Sequence, residues 1–149
     1  MTERLSTAIC ATVIAIAAVG CSEPSRAPQS GFSHLPDYGW AYGDTVVIRL
    51  DTSADAPALA VRHTDEYPYR NLWLEISQEL DSATTLRDTV NIELCNAYGR
   101  WHGNGFGGSY QIAFPLPRAV SAQEVNIRHI MRVDTLRGLT DVGIVPLGS

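Results

Sequence analysis

Lysine does not occur in this chain of 149 residues, and its 11 basic residues are all arginines spaced singly along it against 16 acidic ones, for a formal charge of −5. Nonspecific nucleic-acid binding needs clustered cations that displace counterions from phosphates, so a nucleic-acid partner is excluded. Without a Gly-Lys-Ser/Thr step there is no P-loop. The glycines at 103, 105 and 107 run into a strand-like segment rather than a helix, which removes the dinucleotide fingerprint as well. His34, His63, His102 and His129 form no pair at ligand spacing, so no metal site is expected. No Gly-x-Ser-x-Gly elbow presents an acyl-transfer serine. A lone Cys95 at a strand end reads as a small, half-buried hydrophobe rather than a nucleophile. Carboxylates such as Glu75, Glu79, Asp81 and Asp88 read as solvated strand or loop charges. Neither a cofactor nor a catalytic residue is expected, and the chain reads as a non-enzyme. Nor is there a long hydrophobic run: the longest, residues 8–19, has twelve residues, too few to span a bilayer.

That run has another use. Arg4 precedes it, and it ends in Ala18-Val19-Gly20-Cys21 before Ser22-Glu23-Pro24, the layout of an export signal. Small residues just before a cysteine resemble a bacterial lipobox, in which the Cys21 thiol takes diacylglycerol, the signal is cut before it and the new N-terminus is acylated. Three acyl chains exceed what stable anchoring needs. Cys10 leaves with the signal and Cys21 is consumed by lipid, which leaves Cys95 alone and no intrachain disulfide. Residues 1–20 are therefore expected to be the signal peptide, residues 21–34 the acylated cysteine with a Ser/Pro/Gly/Gln-rich tether, and residues 35–149 the folded domain. Ser22 does not resemble an inner-membrane retention signal, so the outer membrane is the expected location.

With 45 % apolar and 18 % charged residues, the domain has the composition to bury a core. The stretch 88–116 organises it. Val90, Ile92 and Leu94 alternate with polar residues before a glycine-rich connection, and Tyr110, Ile112, Phe114 and Leu116 alternate after it, the two-residue period of strands. The same period recurs at 45–50, 59–64, 72–76, 125–133 and 139–147, with turn-prone segments between. The expected fold is all-β, a single antiparallel β-sandwich of jelly-roll or immunoglobulin-like kind with about seven to eight strands, a barrel being the second choice. A glycine-rich hairpin or bulge is expected between the two strands of 88–116. The Ser121-x-x-Glu124 pattern suggests one short helical turn.

Aromatic residues carry the candidate binding chemistry. Tyr67-Pro68-Tyr69 is a stiff turn because proline fixes one φ and restricts its predecessor. Trp73 falls on the face opposite Leu72, Leu74 and Ile76; it is an interface anchor if that face is solvent and a core residue if the strand is covered on both sides. Trp101 is a loop plug over one end of the sandwich or a contact, and Arg100 beside it pairs with a carboxylate or meets a partner's anion. Candidate partner-binding residues are thus Tyr67, Tyr69, Trp73, Arg100 and Trp101.

Pro36-Asp37 with Trp40, Asp44-Thr45-Val46, Arg62-His63-Thr64, Tyr67-Pro68-Tyr69, Asn71-Leu72, Gly99-Arg100-Trp101-x-Gly103-x-Gly105-x-Gly107, Met131-Arg132 and Asp141-Val142-Gly143 together resemble the GldH family of gliding-motility lipoproteins of the Bacteroidota. The resemblance runs from about residue 36 to residue 145. Where that family usually shows Leu-Ala-Asp, this chain has Leu94-Cys95-Asn96, which removes a carboxylate. The resemblance implies a non-enzymatic envelope lipoprotein of gliding or the associated type IX secretion machinery, with membrane contact through its lipid and other envelope lipoproteins as partners. The alternative is a carbohydrate-binding module in which Trp40, Tyr67, Tyr69 or Trp101 stacks on sugar rings.

Overall fold

The computed structural model describes residues 31–51 and 56–147; the expected signal peptide, Cys21 and the expected tether as far as residue 30 lie outside the described residues. Every regular element among the described residues is a strand: β1 (Gly31–His34), β2 (Trp40–Ala41), β3 (Val46–Arg49), β4 (Pro57–Thr64), β5 (Asn71–Glu79), β6 (Thr85–Glu93), β7 (Asn104–Phe106), β8 (Ser109–Pro115), β9 (Glu124–His129), β10 (Thr135–Leu136) and β11 (Leu139–Pro146). They form a five-stranded sheet in the order β1-β11-β4-β8-β7, a four-stranded sheet in the order β3-β9-β5-β6, and a two-stranded ribbon of β10 and β2, all antiparallel. The fold is consistent with the expected β-sandwich and is no closed barrel; the described residues form eleven strands where about seven to eight were expected, because short strands such as β2, β7 and β10 carry no period.

The two-residue period decides which faces meet. Along β5, Leu72, Leu74, Ile76 and Gln78 are buried while Asn71, Trp73, Glu75, Ser77 and Glu79 point the other way. Leu59, Val61, Val142 and Ile144 from the five-stranded sheet join Leu72, Leu74, Ile92 and Ile127 from the four-stranded sheet in one core. Each such side chain contributes roughly 1.5–3 kcal/mol on burial. Gln78, a polar intruder, is satisfied: its Nε2 donates to the Ala119 carbonyl at 3.3 Å and its Oε1 accepts the Ser121 N–H at 3.3 Å, which seats the link before β9 on the sheet.

The outer face of the four-stranded sheet is polar and balanced in charge. Among its described residues, Glu75, Glu79, Glu93 and Glu124 are matched by Arg49, Arg70, Arg87 and Arg128. Arg128 grips Glu75 with two nitrogens, at 2.9 and 3.2 Å, and Arg87 reaches the same carboxylate at 3.3 Å. Arg49 pairs with Glu124, and Arg70 with Glu93, each at 2.8 Å. The Glu75 hydrogen bond and charge push the Arg128 pKa above its ordinary value.

Three expectations are corrected. Residues 31–34, assigned by composition to the tether, are β1 and pair with β11 through Gly31↔Ile144 to His34↔Asp141. Four residues show no apolar alternation; what admits them is Gly143, where any side chain would collide with the Gly31 carbonyl and the Phe32 backbone. Residues 121–124 form no helical turn. Glu124 opens β9, and the Gln123 carbonyl is taken by the Leu50 N–H at 2.8 Å, so that backbone extends a sheet ladder instead. Finally, the strands on either side of the glycine-rich segment are not hairpin partners: β6 belongs to the four-stranded sheet and β8 to the five-stranded one. The segment crosses between the sheets, and its hairpin is β7–β8.

Candidate functional site

Where that crossing connection leaves β6, one end of the sandwich is built from aromatic rings. His63 on β4 is wholly buried and lies opposite Tyr110 in the β4–β8 register, the two rings stacked at 5.4 Å. Trp101 covers His63 at 4.7 Å and Tyr110 at 5.9 Å. Tyr67 lies 6.0 Å from His63, ring centre to ring centre, and meets Tyr69 edge-on at 5.8 Å. Tyr67 is a core residue, 2 % exposed, and its hydroxyl donates to the Asn71 carbonyl at 2.8 Å; burial raises its pKa. Tyr69 and Trp101 are half-buried against the core. These rings form a rigid floor. Trp40, likewise, is 1 % exposed, so it offers no face to a sugar.

Two loops rise from that floor. The first runs from Cys95 to Trp101, whose backbones form an isolated bridge. Asn96 closes it: its Oδ1 accepts the Tyr98 and Arg100 N–H groups at 2.9 and 3.0 Å, and its own N–H donates to the Arg100 carbonyl at 2.9 Å. Gly99 supplies the positive φ of 79° the turn requires. An aspartate would accept the same two N–H groups, so Asn96 preserves the turn without the carboxylate. The second loop is the β7–β8 hairpin, whose tip places Gly107 and Gly108 at φ 61° and 79°, the arrangement that matches the twist of the flanking strands. The first loop presents Tyr98 and the second Phe106, each 95 % exposed, with Arg100 exposed between them in sequence.

The expected partner-binding residues therefore separate. Tyr67, Tyr69 and Trp101 stand together as the floor, Arg100 is exposed on a loop above them, and Trp73 is 41 % exposed on the outer face of the other sheet. Tyr98 and Phe106 are not among the residues expected from the sequence, which singled out the aromatics of the Tyr67-Pro68-Tyr69 turn, Trp73 and Trp101; the signal that marks them is an aromatic directly before a turn glycine, Gly99 or Gly107, at positive φ. Among the described residues no cluster of His, Cys, Asp and Glu is arranged to hold a metal, and no helix is long and apolar enough to cross a membrane. Cys95 is buried.

His63 and its counterpart His129 carry a pH consequence. His63 Nδ1 donates to the Thr64 carbonyl and His129 Nε2 to the Trp40 carbonyl, each at 3.0 Å, while His63 Nε2 and His129 Nδ1 have no partner among the described residues. Burial holds both pKa values below the ordinary 6.5. The unfolded chain therefore binds protons more readily than the folded one, so stability is full above pH 6.5 and falls as the pH drops below it towards the depressed native values. Thermal melts from pH 7.5 to pH 5 should show this decline, and His63→Phe, which keeps a ring and removes one of the two titrations, should make it shallower; a slope unchanged in the variant would refute the role of His63.

A model described as GldH lipoprotein matches residues 29–145. A curated relative named Gliding motility lipoprotein GldH, from Flavobacterium johnsoniae, is 30% identical over 93 residues, covering 56% of this chain and 58% of the relative. The chain thus spans little more than half the length of that relative. No solved structure matches.

Proposed function

The chain belongs to the GldH lipoprotein family, and we propose that it is a non-enzymatic interaction subunit of the gliding-motility machinery or of the type IX secretion apparatus associated with it. Acylated Cys21 holds it at the outer membrane, and the loops bearing Tyr98, Arg100 and Phe106 dock other envelope lipoproteins.

One observation carries this reading: two aromatic side chains, each 95 % exposed, stand on loops locked by Asn96 and by the glycine tip over a buried aromatic floor. Aromatic and arginine anchors dominate protein interfaces, and loops already fixed in shape lose little entropy on binding. Placement agrees. The chain enters the sheet at Gly31, opposite Ile144, whereas the hairpin lies beyond the Ser109↔Thr64 pair at the other end of the same strands. A tether leading to Gly31 leaves the aromatic end facing away from it.

Crosslinking in intact cells, with recovery through a C-terminal tag and mass spectrometry, tests it. The native chain should capture envelope lipoproteins of the motility or secretion machinery from the membrane fraction. Tyr98→Ser with Phe106→Ser should reduce that recovery at least tenfold with no change in melting temperature, and Cys21→Ala should release the protein from the membrane. An unchanged set of crosslinked partners in the double variant would overturn the assignment of the loops.

A further inference from the structure

Trp73 belongs to a different surface. It stands 41 % exposed on the polar outer face of the four-stranded sheet, near the start of the strand that also presents Asn71, Glu75 and Ser77 to that side. A depression of about 330 Å³ bordered by Arg70, Asn71, Asn91 and Glu93 lies on one side of it along the strand. Another, of about 310 Å³, borders Glu75, Ser77, Asn126 and Arg128 on the other side. We propose that this face binds a neutral, unbranched glycan containing N-acetylhexosamine, with one pyranose ring stacked on Trp73 and its neighbours lying in the two depressions.

Three features select that ligand. The face carries equal numbers of carboxylates and guanidinium groups, so neither a polyanion nor an anionic membrane surface gains by approaching it. Glu75 is clamped by Arg128 and Arg87, an arrangement that fixes polar groups in place on this face and leaves further guanidinium N–H donors for a ligand's hydroxyls. The register sets Asn91 directly across from Trp73. Asn71 Nδ2 donates to Asn91 Oδ1 at 2.8 Å, which leaves Asn71 Oδ1 and the Asn91 amide N–H free as an acceptor and a donor side by side. An acetamido group offers the complementary N–H and carbonyl. The apolar CH face of a sugar meets the indole face as other apolar groups do, through contact and desolvation.

This surface is on the opposite sheet from β7–β8, so the test is independent of the docking loops. The probes are chitohexaose, which carries acetamido groups, and cellohexaose, which lacks them, titrated into the isotopically labelled domain and followed by NMR. Chitohexaose should perturb the amides around Trp73, Asn91 and Arg128 and bind at least tenfold more tightly than cellohexaose. Trp73→Ala should weaken both sugars at least tenfold, and Asn91→Ala should abolish the preference between them while leaving the spectrum otherwise native. Equal affinity for the two sugars, an undiminished affinity in Trp73→Ala, or perturbations confined to another surface would overturn the proposal. So would a protein partner crosslinked to this face in cells together with no response to either sugar.

Discussion

Trp40→Ala should lower the melting temperature by about 10–20 °C, the result of losing about 3–5 kcal/mol at a fully packed site. Trp40 is 1 % exposed and ties three parts of the fold together. Its indole N–H donates to the Asp44 carbonyl at 3.0 Å and fixes the turn before β3. Its ring meets His129 edge-on at 5.4 Å, and its backbone carbonyl accepts the His129 N–H. Its strand, only two residues long, pairs with β10 through Leu136↔Trp40. Truncation leaves a cavity at that junction and frees a short ribbon with little else to hold it. For a domain whose whole stability is about 5–15 kcal/mol, that is a large fraction. Trp73→Ala is the contrast: its ring faces solvent, and the loss should stay within about 1 kcal/mol. Equal losses in differential scanning calorimetry would contradict the distinction between a core tryptophan and a surface one.

Gly138→Ala should be nearly as damaging, at about 2–5 kcal/mol. Gly138 makes the turn between β10 and β11 at φ 81°, where a side chain costs about 1–2 kcal/mol by itself. It also lies against the Tyr67 turn: an added Cβ would come within 2.5 Å of the Tyr67 backbone nitrogen and 2.6 Å of its Cα. Overpacking of that kind adds about 1–3 kcal/mol. The Gly138 carbonyl accepts the Thr64 N–H at 2.8 Å, so displacement also disturbs the strand that carries His63. Gly99→Ala separates the two costs. Gly99 has nearly the same φ, 79°, but nothing lies within 4 Å of its added Cβ, so only the backbone term of about 1–2 kcal/mol applies. Chemical denaturation of both variants measures the difference; the same loss in each would mean that the Tyr67 turn yields freely.

The longer strands are legible in the sequence because their cores are written at every second residue. Leu72, Leu74 and Ile76 announce β5, and the same alternation sets Trp73 outward. Even the buried histidines obey it, since His63 follows Leu59 and Val61, and His129 follows Val125 and Ile127, on their apolar faces. What period cannot carry is partnership. β1, β2, β7 and β10 have two to four residues each, too few to repeat a pattern, and exist because a neighbouring ladder accepts them. Nothing in 88–116 says that the chain changes sheets between β6 and β8. The candidate site is half legible for a related reason. The aromatic types at 67, 69 and 101 are visible, but which rings become floor and which stand proud depends on the crossing and on Asn96, whose two backbone hydrogen bonds lift Tyr98 clear.

The entry of β1 at Gly31 also decides how the domain bears a mechanical load. β1 runs from Gly31 towards the end that carries Tyr98 and Phe106, its four residues paired with β11. On the proposed reading, a pull between the lipid anchor and a partner held at that end acts along the strand axis. The β1–β11 hydrogen bonds lie across that axis and take the force in shear, sharing it so that they yield together. A strand entering from the opposite end would instead be peeled, one pair at a time. Gly143, by letting Phe32 lie close against β11, thus helps to seat the link through which traction on the membrane would reach the body of the protein.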